Sequence, residues 1–320
     1  VPENIRQTEG QEGEPAVLIE GALEGSRGSR GSRGSRGALA LGVCLALSAC
    51  ADSTTGPSGA PSATATAEIA SEVPSLLRGS TAPLVAERPL PSGEREVCPT
   101  KGGPCLAYRE LVTGGAKPSD TLPLVVAMHG LGDRPEGFAH VFEAMTLRAR
   151  FVLPRAPKGY KAGFRWFETR VDGSPDAIAA ELGEAADLVA SALPLLTREH
   201  PTKGRPIVTG FSQGGMMSFT LAVRHGASVA AALPIAGALP APLVPTSGTC
   251  GAELTVAPVF AFHGARDTVL PVEPTRALVE GLAARRCTAK LDVDDGAAHT
   301  IPPAMRARLE AKLAELIAAL

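Results

Sequence analysis

Residues 207–223 place the tightest constraint on what this chain can become. Ile207-Val208-Thr209 is a β-branched, largely apolar run; Gly210-Phe211-Ser212-Gln213-Gly214-Gly215 follows; and Met216-Met217-Ser218-Phe219-Thr220-Leu221-Ala222-Val223 favours a helix. The pattern predicts a strand, a tight turn and a helix, with Ser212 at the apex of a G-x-S-x-G sequence. A turn this sharp would make side chains two residues either side of the serine clash. Glycine removes those side chains and tolerates strained dihedrals. The serine then sits at a helix N-terminus, whose N–H groups favour developing negative charge. With 35 glycines in 320 residues, five letters can match by chance. The strand–turn–helix context is what makes them read as a nucleophile elbow.

A serine hydroxyl is a weak nucleophile at neutral pH and needs a base, and the base needs an orienting acid. With an elbow of this kind the partners arrive in the chain order acid, then histidine. His299 is the one histidine beyond any plausible acid near the C-terminus, after the strand candidate Ala289–Val293 and before a final helix. Loops at the C-terminal ends of strands are where sites of open α/β sheets gather. The acid is read as Asp267, in the loop after the buried-strand pattern ending at His263-Gly264. Its rivals are Glu253, Glu273, Glu280, Asp292, Asp294 and Asp295; Glu273 and Glu280 fall on a predicted helix and the others read as solvated charges. Arg266 beside it reads as a surface residue of the loop.

A second apolar strand pattern, Leu124–Met128, ends in His129-Gly130-Leu131-Gly132-Asp133. The loop after this strand and the residue after the nucleophile normally supply the two oxyanion N–H groups, here the amides of Leu131 and Gln213. His129 reads as a brace for that loop and His263 as structural, while His140, His200 and His225 fall on predicted helices or their ends and read as surface residues. No H-E-x-x-H or clustered Cys/His spacing suggests a metal, and the chemistry calls for no cofactor.

Strand candidates at 106–112, 122–129, 151–154, 206–211, 231–236, 257–263 and 289–294 alternate with helix candidates at 135–149, 175–199, 214–225, 273–285 and 303–319. Such alternation predicts an α/β fold, a mostly parallel sheet covered by helices on both faces. The last helix carries Leu309, Leu313, Leu316, Ile317 and Leu320 at helical spacing, a core face. Trp166, the single tryptophan, reads from spacing alone as a core or rim aromatic.

Gly-Phe-Ser-Gln-Gly-Gly, His-Gly-Leu-Gly-Asp and the pair Trp166-Phe167 together resemble the phospholipase/carboxylesterase branch of the α/β-hydrolases, which includes acyl-protein thioesterases and bacterial carboxylesterases. The resemblance spans roughly residues 105–320. It implies the α/β-hydrolase fold and an ester or thioester hydrolase acting on a small-molecule ester. Ser212, Asp267 and His299 would be its triad, the Leu131 and Gln213 amides its oxyanion hole, and Trp166 would bind substrate near the acyl group. Glu168 departs from the branch, which usually carries Asp after the Trp-Phe pair; this bears on pocket shape and acyl preference rather than on the chemistry. Secreted feruloyl or polyester esterases, lysophospholipases, acyltransferases, and a surface binding protein on an inactive scaffold remain as alternatives.

The N-terminal part differs in composition. Residues 1–37 include a Gly-Ser-Arg repeat with Arg27, Arg30, Arg33 and Arg36, and are expected to have no fold; because the chain begins with valine upstream of any export signal, they read as an over-extended start. Residues 38–50 hold a short apolar run ending in Leu47-Ser48-Ala49-Cys50. A basic stretch, a short apolar segment and a small-residue cleavage site make an export signal, and a cysteine after Leu-Ser-Ala resembles a lipobox. Cys50 would then be the lipidated N-terminus holding the protein to a membrane. Residues 51–88, rich in Ser, Thr, Ala, Gly and Pro, read as a disordered tether, and 89–320 as the catalytic domain. The net charge of −2 argues against nucleic-acid binding through a basic face. Cys98, Cys105, Cys250 and Cys287 remain, an even number that suggests disulfides in an exported protein. Three pairings are possible. Cys98 with Cys105 would close the turn-rich Pro-Thr-Lys-Gly-Gly-Pro loop, leaving Cys250 with Cys287.

Overall fold

The computed structural model describes residues 93–168 and 174–320. The segments read as an export signal, a lipidated Cys50 and a tether lie outside the described residues.

Eight strands form one sheet in the order β1-β2-β4-β3-β7-β8-β9-β10: β1 Glu94–Val97, β2 Leu106–Val112, β3 Leu124–Met128, β4 Arg150–Pro154, β7 Ile207–Phe211, β8 Ala231–Ile235, β9 Val259–Gly264 and β10 Ala289–Asp294. The pairs β1–β2 and β2–β4 are antiparallel and all the others parallel. Along β3, Leu124, Val126 and Met128 join one apolar cluster while Val125 and Ala127 join the other. A strand's side chains alternate faces, so a continuous apolar run of this kind is what burial on both faces requires.

Helices α2 Pro175–Glu199, α3 Gln213–Arg224 and α4 Val272–Ala284 supply one cluster through Leu182, Val189, Phe219, Leu221, Leu278 and Leu282. The other face is closed by α1 Pro135–Ala139 and α5 Pro303–Ala318, with Phe138, Met305, Leu309 and Leu313 buried and Leu316, Ile317 and Leu320 packed partly against them. Helix α2 starts where Ser174 caps it, its Oγ accepting from the Ala177 N–H at 3.2 Å, and Pro175 occupies the first helical position, where no N–H is missed.

The helix expected over 135–149 is corrected to five residues. Beyond Ala139 the chain tightens into turns, with Val141, Phe142 and Met145 donating to carbonyls three residues back. Glu310 of α5 takes both the N–H and the hydroxyl of Thr146. Phe138, Val141, Phe142 and Met145 are all buried, so their helix-like spacing is satisfied by stacked turns against the sheet. Strand β1 and the hairpin β5 Lys158–Tyr160 with β6 Gly163–Arg165 were not foreseen: the first is mostly charged, the second has three-residue arms.

Cys98–Cys105 and Cys250–Cys287 are joined as disulfides. Glu96, Cys98 and Cys105 are the one grouping with metal-ligand spacing among the described residues, and both of its sulfurs are committed to each other.

Candidate active site

Strand β7 delivers Ser212 into a left-handed backbone conformation, φ 54° and ψ −115°, one that a side-chain-bearing residue rarely adopts. The glycines around it are required by the packing. A Cβ on Gly214 would lie 1.9 Å from the Met128 carbonyl oxygen, and one on Gly210 would lie 2.4 Å from the Gly214 carbonyl oxygen. The turn is tied on both sides: the Ser212 N–H donates to the Ile235 carbonyl at 3.0 Å, and its own carbonyl accepts from the Met216 N–H at 2.9 Å.

His299 Nε2 lies 2.9 Å from Ser212 Oγ, and His299 Nδ1 lies 2.7 Å from Asp267 Oδ2. A buried carboxylate only accepts, so Nδ1 carries the proton and Nε2 presents its lone pair to the serine hydroxyl. The ring of Phe211, centred 4.8 Å away, packs against the imidazole. The three side chains grade outward: Asp267 is fully buried and the His299 side chain is 14% exposed, while Ser212 is half-buried at the apex.

Asp267 is held by four donors. Its Oδ1 accepts the N–H groups of Val269 and Leu270, both at 2.9 Å, and its Oδ2 faces His299 and, at 3.4 Å, His263 Nε2. Burial by itself would raise the Asp267 pKa. The hydrogen bonds from His263, His299 and Leu270 outweigh it and hold the carboxyl well below the usual range. His263 donates through Nε2 to the Leu270 carbonyl at 2.8 Å, which leaves its buried Nδ1 without a partner. The acid loop and the His299 loop are also joined by backbone, Arg266 N–H donating to the Ala297 carbonyl at 2.9 Å. Arg266 itself is exposed.

The loop after β3 lays Gly130, the residue before Leu131, against the elbow, where an added Cβ would lie 3.6 Å from Ser212 Cβ. His129 braces it as expected, donating from Nδ1 to the Gly130 carbonyl at 2.7 Å and accepting the Ala156 N–H at Nε2, 3.2 Å. Burial pushes the His129 pKa down to about 4, so the ring stays neutral. Trp166, expected at the substrate, is 1% exposed and gives its only donor to the His129 carbonyl at 2.9 Å. The Gln213 side chain is buried too, bonded to the backbone of Trp166 and Phe167. Sequence reasoning had no signal for that carboxamide, nor for His263 on the acid, because both contacts cross between elements.

Of the remaining histidines, His140 is exposed as expected and His225 is half-buried against Asp187. His200 is corrected: it is 3% exposed at the end of α2, wedged between Tyr108 of β2 and Arg150 of β4, which bond its two ring nitrogens.

A mostly parallel eight-stranded sheet with helices on both faces, and a serine at the turn between β7 and α3, define an α/β-hydrolase. The family model of the phospholipase/carboxylesterases matches residues 110–317. Acyl-protein thioesterase 1 of Eremothecium gossypii is 26% identical over 196 residues, 56% of this chain and 81% of that relative. Among solved structures, esterase PE8 is similar with a TM-score of 0.54 and 25% identity over 66% of this chain and 99% of its own. A Mesorhizobium loti carboxylesterase shares the fold at a TM-score of 0.55 and 20% identity, over 65% and 94% of the two chains. The chain belongs to the phospholipase/carboxylesterase family, a family of ester- and thioester-cleaving hydrolases.

Proposed function

We propose that the protein is a serine carboxylesterase that works through an acyl-enzyme. The observation that carries this reading is the hydrogen-bonded line Ser212–His299–Asp267, with the serine at a strained apex and the imidazole tautomer set by a buried carboxylate. His299 Nε2 takes the hydroxyl proton as Ser212 Oγ attacks the ester carbonyl. The Leu131 and Gln213 amides receive the oxyanion, and Asp267 stabilises the imidazolium. His299 then gives the proton to the leaving alcohol. Water, deprotonated by the same nitrogen, releases the acid from Ser212. A thioester would follow the same steps with a thiol as leaving group, the chemistry named for the thioesterase relative.

The protein is exported and anchored by a lipid on Cys50. Two disulfides support an oxidising compartment, alongside the sequence pattern around Cys50. In that setting the substrates are small esters, lipids or polymer fragments outside the cytoplasm.

The test is hydrolysis of p-nitrophenyl esters from acetate to palmitate, beside fluorophosphonate labelling, in the parent protein and Ser212→Ala. Turnover and labelling should both vanish in the variant, a loss of roughly 10⁶-fold in kcat, with folding intact. Wild-type-like activity in Ser212→Ala would refute the assignment. Retention of the protein in the membrane fraction, lost in Cys50→Ala, tests the anchor.

A further inference from the structure

The two oxyanion amides belong to different elements. Leu131 leaves β3 and Gln213 opens α3, so their separation depends on what spans the two. The segment 164–167 does so. Phe164 accepts the Gly132 N–H at 2.8 Å and donates to the Asp133 carbonyl at 3.0 Å, just after Leu131. Two residues on, the Trp166 indole donates to the His129 carbonyl at 2.9 Å, just before Leu131. The loop is thus held on both sides of the amide that matters.

The same segment is gripped from the other element. Gln213 Oε1 accepts the Trp166 N–H at 3.0 Å and Gln213 Nε2 donates to the Phe167 carbonyl at 3.2 Å. An N–H on one side and a carbonyl on the other leave the carboxamide one orientation. Gln213, Trp166 and His129 are all buried, at 5%, 1% and 0% exposure. A buried amide or indole is costly unless bonded, and an apolar side chain would fill the same space without that demand.

We infer that the Gln213 carboxamide and the Trp166 indole form a strut that sets the distance between the Leu131 and Gln213 amides. Both side chains are positioning residues, which moves Trp166 from substrate binding to support of the oxyanion loop. The inference rests on the acyl-enzyme reading above. It separates two functions of one residue: the Gln213 backbone would bind the oxyanion, and its side chain would place the opposite donor.

Substitution therefore isolates the side chain, since any residue at 213 except proline keeps the amide. Gln213→Met and Trp166→Phe should each lower kcat by about 10–100-fold, short of the 100–1,000-fold typical of deleting an oxyanion donor outright, while KM stays within about twofold. Affinity for a trifluoromethyl ketone analogue should fall by the same factor as kcat, a readout that a purely structural role would not move. Because one strut is cut at two points, the double variant should be little worse than the poorer single one. Should Gln213→Met fail to fold, Trp166→Phe removes a single N–H, keeps an aromatic ring and carries the same test. Unchanged kcat and analogue affinity, with Ser212 still labelled by a fluorophosphonate, would overturn the strut and leave the acyl-enzyme reading standing. An unlabelled Ser212 in the parent protein would overturn both.

Discussion

Two imidazoles in this protein face a hydroxyl across a hydrogen bond and have a charged group at the other nitrogen, yet they are wired in opposite senses. His299 stands between Ser212 Oγ and Asp267. His200 stands between Tyr108 Oη, 3.2 Å from its Nε2, and Arg150, whose guanidinium donates to its Nδ1 at 3.1 Å. A carboxylate only accepts and a guanidinium only donates. Asp267 therefore places the His299 proton on Nδ1 and leaves a lone pair toward the serine, whereas Arg150 claims the His200 lone pair and turns an N–H toward the tyrosine. The Tyr108 hydroxyl in turn donates to Glu199 at 3.2 Å, and burial, with Glu199 beside it, pushes its pKa up to about 12. Hydroxyl, imidazole and charge are present at both places. The sign of the charge decides whether the imidazole can take a proton from the hydroxyl or only give one.

Breaking each arrangement at its charged end tests this. Asp267→Asn should have the largest effect, near the 10⁴-fold fall in kcat expected when the orienting acid is lost and the tautomer reverses, whereas Tyr108→Phe should leave ester hydrolysis within about twofold of the parent. Next comes Arg150→Met. Arg150 is 1% exposed and also binds Glu110 and the Pro118 and Asp120 carbonyls. Removing it leaves the half-buried Glu110 carboxylate to Arg95 alone and takes the donor from the Pro118 and Asp120 carbonyls, at a cost of about 1–3 kcal/mol for each group left unsatisfied, seen as a lower midpoint in urea, with kcat per folded molecule unchanged. A large loss of kcat there would mean that the two regions are coupled.

The smallest effect lies in the pH dependence of stability. Burial lowers the His200 pKa, against the pull of Glu110 and aided by Arg150. A histidine whose folded pKa is depressed contributes stability above its unfolded value, about 6.5, and that stability is lost as pH falls below it. His200→Gln should accordingly lose less stability than the parent between pH 7 and 5. His129, lowered by its own burial, adds to the parent's loss and is unaffected by that substitution.

The elbow was legible because its determinants are local. Gly210, Ser212 and Gly214 are five residues from end to end, and the turn they form forbids side chains at both glycines. The runs of β3, β7, β8 and β9 were legible because burial on both faces leaves them almost wholly apolar, with Thr209 and His263 the polar exceptions. Chain order and strand ends pointed to Asp267 and His299, which the fold brings within 2.7 Å across 32 residues. Where two segments must cooperate, the reading failed. The turns after Ala139 end at Thr146, which Glu310 of α5 holds; β1 is a strand because β2 offers it an edge; and His200 is buried where Tyr108 and Arg150 bond its ring.

Left to itself, then, the amino-acid order settled which residue stands at the apex, which strands run through the core and which kind of chemistry the chain can carry, because backbone sterics and hydrophobic periodicity act over a few residues. The tertiary structure alone decided which nitrogen of His299 and of His200 holds the proton, that His263 joins the grip on Asp267, and that the buried Trp166 indole donates to the His129 carbonyl. Those outcomes depend on donors and acceptors that become neighbours only after the sheet has formed. A hydrogen bond is directional and short-ranged, and its partner far along the chain leaves no trace in the local pattern.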